Sequence, residues 1–111
     1  DILRSFLDIL DAFHEAFKNN GFQELAENYK KGIEAIFNKF LKVLEYYNVK
    51  QYDSLGSIFN PALHEGLMME ETEDEKKDNI VLEEFQKGYT INNKTLRPAK
   101  VKVGVYKNNN K

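Results

Sequence analysis

In a 111-residue chain without cysteine, the side chains suited to metal binding or proton transfer near neutral pH are two histidines, His14 and His64, and a few pairs of acids. His64-Glu65 opens like a zinc-protease helix motif, but Met68 stands where the second histidine must fall one turn later. Two imidazoles cannot complete a metal site without carboxylate help, and His14 lies in a heptad stripe where a partly buried structural ring is expected. Glu83-Glu84 and Glu70-Glu71 offer paired carboxylates, yet adjacent strand residues face opposite sides and loop acids are solvated. The six glycines are scattered, with no nucleophile elbow, Walker loop or dinucleotide fingerprint. No active site is read, no cofactor is implied, and the chain is expected not to be an enzyme. What remains is a surface. Phe85-Gln86-Lys87-Gly88-Tyr89 sets aromatics beside a basic residue and a flexible glycine, as a protein-binding patch does; the other reading gives both aromatics to a small β core.

Composition narrows the partners. Sixteen Lys and Arg against 18 Asp and Glu give a net charge of -2, with no overall positive field to hold a polyanion, so nucleic acid is not an expected partner. No apolar run reaches the roughly 18 residues that cross a bilayer, and no membrane partner is expected. The first residue is Asp1 rather than Met, with no signal-type segment, and the chain reads as cut from something longer. With 41% hydrophobic and 13% aromatic residues it has the material for a core, as one domain or two small ones.

The elements that must carry such a surface change character near residue 48. Ile2, Phe6, Ile9, Phe13 and Ala16 step by four and three, and Leu3, Leu7, Leu10, His14 and Phe17 repeat the rhythm one residue later. The resulting face is too wide for a two-helix seam. Asn19-Asn20-Gly21 supplies a helix stop through residues that tolerate positive φ, and Asn20 with Gln23 is the expected new cap. A second stripe runs Phe22, Ala26, Tyr29, Ile33, Ile36, Phe40, Val43 and Tyr47, widened by Leu25, Phe37, Leu41 and Leu44, with a start anywhere from Phe22 to Glu27. Gly32 interrupts it, marking either close packing or a tolerated defect. The expected arrangement is a helical hairpin that pairs with a second copy into four helices. The dimer interface would use Leu3, Phe6, Leu7, Leu10, Phe13, Phe17, Ile33, Ile36, Phe37, Phe40, Val43 and Leu44. Alternatively, the second half of the chain covers that surface.

Short segments of period two follow. Val49–Tyr52, Leu67–Met69, Ile80–Phe85, Tyr89–Ile91 and Lys100–Val105 are expected strands. Asp53–Gly56 is a turn, Asn60-Pro61 caps a helical turn through His64, and Glu70–Asp78 is a solvated acidic loop. Asn92-Asn93 is placed as a hairpin turn, and Pro98 at an edge or the start of a strand. The fold class is therefore α+β: a helical hairpin at 1–48, a small all-β domain at 49–106 and a disordered tail at 107–111.

Taken together, Phe59-Asn60-Pro61-Ala62-Leu63-His64-Glu65, Gln86-Lys87-Gly88-Tyr89, and Leu96-Arg97-Pro98-Ala99 with Val101 and Val103 resemble GrpE, the nucleotide exchange factor of DnaK-type chaperone ATPases. Gly32-Ile33-Glu34 and Phe40-Leu41-x-Val43-Leu44 look like that family's bundle helix, so the resemblance spans the chain. It implies a parallel homodimer with a long paired N-terminal helix, a four-helix bundle and one β-domain per subunit. Asp1 to Phe17 matches the end of the long helix and the first bundle helix, so most of the long helix is absent. It also implies a β-domain wedged against the chaperone's nucleotide-binding domain, with partner-facing residues at Phe59, Pro61, Phe85, Lys94 and Val103. Lys94 stands where an Arg occurs in a relative, keeping the charge without the bidentate fork. Arg97 is open to two readings, a partner anchor or a brace of its own domain, the second favoured. Asn48 takes the place of the family's usual junction Gly as the next best left-handed residue, and Gly66 takes that of an Ala, expected to loosen the entry to the next strand. Abundant Lys and Asn point to an AT-rich genome; a bacterial cytoplasm is the first expectation, a mitochondrial matrix or plastid the alternative. A homodimeric adaptor binding some other protein through its β-domain is the competing function.

Overall fold

The apolar stripes of the first half fold as helices in the computed structural model, which describes residues 2–108. Helix α1 spans Ile2–Lys18, α2 is a single turn at Asn20–Gln23, and α3 spans Glu27–Tyr46. Phe6 meets Phe40 with ring centroids 6.2 Å apart, and Phe17 meets Phe37 edge-on at 5.3 Å, so α1 and α3 run antiparallel. Phe13 sits between Phe37 and Phe40, at 5.7 and 6.0 Å. Aromatic pairs at such separations contribute roughly 0.5–1.5 kcal/mol each beyond their burial. His14 lies edge-on to Phe37 at 5.0 Å, inside this aromatic seam.

The turn between the helices works differently from expectation. Among the described residues, positive φ occurs at Asn48, Asn79, Asn92, Asn93 and Gly56, and none of residues 19–21 adopts it. Asn19, not Asn20, is the cap: its Oδ1 accepts from the Gly21 N–H at 2.7 Å. Gln23 serves the helix before it, donating from Nε2 to the Phe17 carbonyl at 3.0 Å, one of the acceptors the end of α1 leaves open. Helix α3 starts at the last position of the expected range, so Phe22 and Ala26 precede it. Phe22 packs on Phe17 instead, at 5.0 Å.

A second compact unit begins at Asn48, where the chain takes φ 65° and leaves the helical course. It holds two three-stranded sheets. In the first, β4 (Gly88–Ile91) pairs antiparallel with β1 (Val49–Tyr52) on one side and β5 (Lys94–Arg97) on the other. Asn92 and Asn93 join β4 to β5 with φ of 50° and 66°, the two left-handed residues a tight hairpin needs. In the second, β6 (Ala99–Tyr106) is central, parallel to β2 (His64–Thr72) and antiparallel to β3 (Val81–Gln86). Ala99, Val101 and Val103 alternate along β6 into a core shared with Val81, against which Tyr52 and Phe59 pack.

Three sequence expectations change here. Asn60 does cap a turn, its Oδ1 accepting from the Ala62 N–H at 2.9 Å, but the turn ends at Leu63 and His64 already belongs to β2. The acidic stretch is not all loop. Glu70, Glu71 and Thr72 extend β2 because β6 offers a parallel ladder out to Tyr106, and Glu75–Lys77 forms a 3-10 turn. Of the expected tail, residues 109–111 lie outside the described residues, while Lys107 is tied down: its N–H donates to the Thr72 carbonyl at 3.0 Å and its ammonium pairs with Glu71 at 2.8 Å. Pro98 falls between β5 and β6, where no ladder needs its missing N–H.

Two glycines give opposite predictions. At Gly104 an added Cβ would run into the Lys77 carbonyl of the 3-10 turn that lies over β6. Gly104→Ala should therefore cost about 2–3 kcal/mol, read as a lowered denaturant midpoint. At Gly32 nothing beyond its own stretch of helix backbone lies within 4 Å of such a Cβ, which makes this glycine a tolerated defect within the chain. Gly32→Ala should raise stability by about 1 kcal/mol in the same titration.

Candidate functional site

The surface built around Phe59 and Lys94 starts from a turn that closes on itself. The Asn60 carbonyl accepts from the N–H groups of Leu63 and His64 at 2.9 and 2.8 Å. The Asn60 N–H in turn donates to Nδ1 of His64 at 2.9 Å. Residues 60 to 64 thus form a ring bonded in both directions, presenting Pro61 and Ala62 to solvent. The Phe59 N–H donates to the Asn79 carbonyl at 2.8 Å, and the Phe59 ring lies 5.8 Å from that of His64.

Tyr52 locks this turn to both sheets. Its hydroxyl makes a short hydrogen bond to the Leu63 carbonyl and accepts from the Ala99 N–H at 3.2 Å. Desolvation raises the Tyr52 pKa above the ordinary phenol value, against the pull of the Ala99 hydrogen bond and Arg97, so the hydroxyl remains a donor at neutral pH. Thr95, beside Lys94, donates from Oγ1 to the Ala62 carbonyl at 2.9 Å, joining the start of β5 to the same turn. The strand that starts with Lys94 is thereby tied to the turn that carries Pro61, with Pro61 and Lys94 exposed and Phe59 half-buried.

The other candidates fall elsewhere. Phe85 is half-buried at a bulge of β3, where Glu84 and Gln86 face Val101 and Lys100 and Phe85 is the extra residue. Val103 is only 6% exposed and belongs to the core, so it supports the sheet and offers no contact surface of its own. It sits on the inward face of the central strand with Val81, Ala99 and Val101. Arg97 braces its own domain: Nη2 donates to the Lys87 carbonyl at 2.7 Å and the guanidinium lies 5.2 Å from the centre of the Tyr89 ring. The Gln86 carboxamide, turned with its oxygen toward Arg97, also accepts from Nε at 2.9 Å. Tyr89 is 1% exposed, which settles that aromatic as core. Gly88 is no flexible joint, because the Tyr52 ring and the Ala99 N–H occupy the space a side chain would take.

A cluster of charges that the sequence reading passed over holds the base of this surface. Glu84 accepts from the Ser54 N–H and the Lys87 ammonium, each at 2.9 Å, and Lys87 also donates to Asp53 at 2.8 Å. Burial pulls the Lys87 pKa down, but the bonds to Asp53 and Glu84 outweigh it and leave the value raised, so the ammonium stays charged. The signal was present in Glu83-Glu84: Glu83 reaches Lys102 on the exposed side at 3.5 Å while Glu84 points the other way. Among the described residues no group of three or more His, Asp or Glu is placed to hold a metal ion, and no helix is long and apolar enough to cross a membrane.

On the helical unit, Leu7, Leu10, Phe37 and Leu44 are already buried by their own chain, Leu3, Phe6, Phe13, Phe17, Ile33 and Phe40 are half-buried, and Ile36 and Val43 are half exposed at 49% each. The expected interface list thus mixes the seam of the hairpin with the face left over. That outer face also carries Ile2, Ile9 and Tyr29, spaced by sevens with Ile36 and Val43 on their respective helices.

The family model described as GrpE matches residues 1–105. The chain belongs to the GrpE family. It is 37% identical over 103 residues to Protein GrpE of Caldanaerobacter subterraneus subsp. tengcongensis, covering 92% of this chain and 48% of the relative. It is 39% identical over 103 residues to Protein GrpE of Carboxydothermus hydrogenoformans, covering 93% and 52%. Against Protein GrpE of Borreliella afzelii it is 37% identical over 108 residues, covering 96% and 57%. The chain spans about half the length of the curated GrpE relatives it matches.

The bonding of the turn gives a direct test. Tyr52→Phe removes one hydroxyl bridge while the Ala99 N–H keeps its second acceptor, the Leu63 carbonyl at 3.0 Å. The expected loss is about 1–2 kcal/mol in the unfolding of the β unit, followed by near-ultraviolet circular dichroism.

Proposed function

We propose that this GrpE-family chain is an adenine-nucleotide exchange factor. In this reading it binds the nucleotide-binding domain of a DnaK-type chaperone ATPase and promotes ADP release by favouring the open cleft. The observation that carries the reading is the family match over residues 1–105, which takes in the turn at Phe59–His64 and the β5 edge. The geometry supports it in kind. Pro61 and Lys94 are exposed on a rigidly bonded surface, and the work asked of that surface is binding alone. A protein that binds the open, nucleotide-poor state more tightly than the closed one weakens nucleotide binding by the same factor. A hundredfold loss of ADP affinity needs about 2.7 kcal/mol of differential binding. No bond is made or broken, so no nucleophile, acid or metal is called for.

The contact residues in this proposal are Phe59, Pro61, Phe85 and Lys94, with Arg97 and Val103 behind them as support. A homodimer belongs to the same reading, its two copies meeting through the outward stripe of Ile2, Ile9, Tyr29, Ile36 and Val43. These side chains stay 42–79% exposed in one chain. A bacterial cytoplasm is the compartment in which such a partner would be met. The second reading, a dimeric adaptor for another protein, makes the same use of the exposed surface without requiring a nucleotide-sensitive partner.

Two measurements test the reading. Fluorescent ADP loaded on a DnaK-type ATPase should leave faster when the chain is added, and Lys94→Glu should reduce that stimulation about tenfold with unchanged thermal unfolding. Unchanged release at saturating protein rejects the exchange reading and favours the adaptor, and stimulation that survives Phe85→Ala with Lys94→Ala rejects these two residues as the contacts. In sedimentation the chain should run as a dimer, and Ile36→Asp with Val43→Asp should shift it to monomer, because two carboxylates would be buried unpaired.

A further inference from the structure

His64 holds a place that the binding surface needs and that its burial makes sensitive to protons. The side chain is 5% exposed, and Nδ1 accepts from the Asn60 N–H at 2.9 Å. With Nδ1 accepting, the neutral ring carries its hydrogen on Nε2. A second proton would land on Nδ1 and face the Asn60 N–H, donor against donor, in a buried site. We infer that neutral His64 is a positioning residue for the Phe59-Asn60-Pro61 surface, and that its protonation releases the turn and weakens partner binding; this rests on the exchange-factor reading above.

The surroundings favour the neutral ring. The groups that face it are the Tyr52 ring at 6.5 Å from β1, the Phe59 ring at 5.8 Å, and Asn60 from its own turn. Desolvation lowers the His64 pKa below its ordinary 6.5, and Glu84 on β3, whose charge acts the other way, does not reverse the shift. Glu84 is already engaged by Lys87 and the Ser54 N–H. Asp53, which lines the same pocket as His64, is held by Lys87.

The sign follows from linkage. The closed turn prefers neutral His64, whose pKa there lies below that of the opened turn. The closed form is fully favoured above about pH 6.5 and loses ground as pH falls from there toward the depressed value, by up to about tenfold per unit. His14, on the helical unit, is common to every variant of His64, so comparison between variants isolates the part played by His64.

The test uses the full chain. Binding to a DnaK-type ATPase loaded with fluorescent ADP is measured by release at about pH 7.5 and about pH 5.5, for the wild type, His64→Asn and His64→Leu. Asn places a non-titrating acceptor near the position of Nδ1, whereas Leu removes the acceptor. In the free chain, the Asn60 amide resonance is followed over the same range together with the His64 ring. The expected result has three parts: the Asn60 amide moves with the imidazole titration, acid weakens the wild type at least about threefold more than His64→Asn, and His64→Leu is weak at both values. The inference is overturned if the amide stays still while the ring titrates, if His64→Asn loses affinity as steeply as the wild type, or if folded His64→Leu matches the wild type at the higher pH. A wild type that releases no ADP at either pH sinks the exchange reading instead, and the Asn60 amide then decides alone whether His64 holds the turn.

Discussion

The central strand β6 is the constraint on which the β unit depends. It has β2 on one side and β3 on the other, so its backbone has no free edge along the core. Beyond the two ladders it receives the loops. The Ala99 N–H reaches the Leu63 carbonyl, the Gly104 carbonyl accepts from the Asn79 N–H at 2.8 Å, and the Gly104 N–H donates to the Ile80 carbonyl at 2.9 Å. The turn carrying Phe59 and Pro61 is therefore not a loop hung from a scaffold. It is bonded to the same strand that carries Val101 and Val103 into the core, and displacing it would break those hydrogen bonds.

How much of this was legible depended on whether the signal was local. The helical stripes were, because a period of 3.6 is written in neighbouring residues, and so was the hairpin at Asn92-Asn93. The length of β2 was not. Glu70 and Glu71 look like loop residues on composition, and only pairing with β6, some 30 residues away, makes them strand. Strand propensity yields to a ladder that sequence patterns do not reveal. The same holds at the site. Pro61 and Lys94 were named through the resemblance and the bracing by Arg97 was the favoured reading, but the burial of Val103 depends on which face of which strand turns inward, and bulges at Leu82 and Phe85 shift that register.

A division of labour between asparagine and glycine explains a further group of differences. Four of the five positive-φ positions among the described residues are Asn, and a single Gly, Gly56 at 83°, joins them. Asn tolerates the left-handed region because its short side chain bonds locally, so it can end α3 and form two turns, at Asn79 and at Asn92-Asn93. Two of the six glycines serve a different task. Gly88 and Gly104 occupy places where the Tyr52 ring and the Lys77 carbonyl press against the backbone. Gly88 reads as a flexible joint in the sequence because flexibility is glycine's commoner use; here it is a site of close approach. Gly66 sits between these cases, with Phe59 and Val103 atoms at 3.5 to 3.7 Å from where a Cβ would stand, so an Ala would fit by ordinary contact.

The stiffness that results bears on how a surface with so few exposed groups could act on a partner. A ligand shifts an equilibrium only by the difference between its affinities for the two states, and a compliant loop that remoulds to fit both states loses that difference. Residues 60 to 64, closed by bonds in both directions and pinned by Tyr52, can conform little without breaking a hydrogen bond. A partner whose cleft geometry misplaces Pro61 relative to Lys94 would therefore bind less well, and the discrimination comes from the bonding inside this chain rather than from additional contacts. On the proposed function, then, Tyr52, His64 and Thr95 hold the geometry in which Pro61 and Lys94 present their contacts, so loosening the turn costs affinity and discrimination between the two states together.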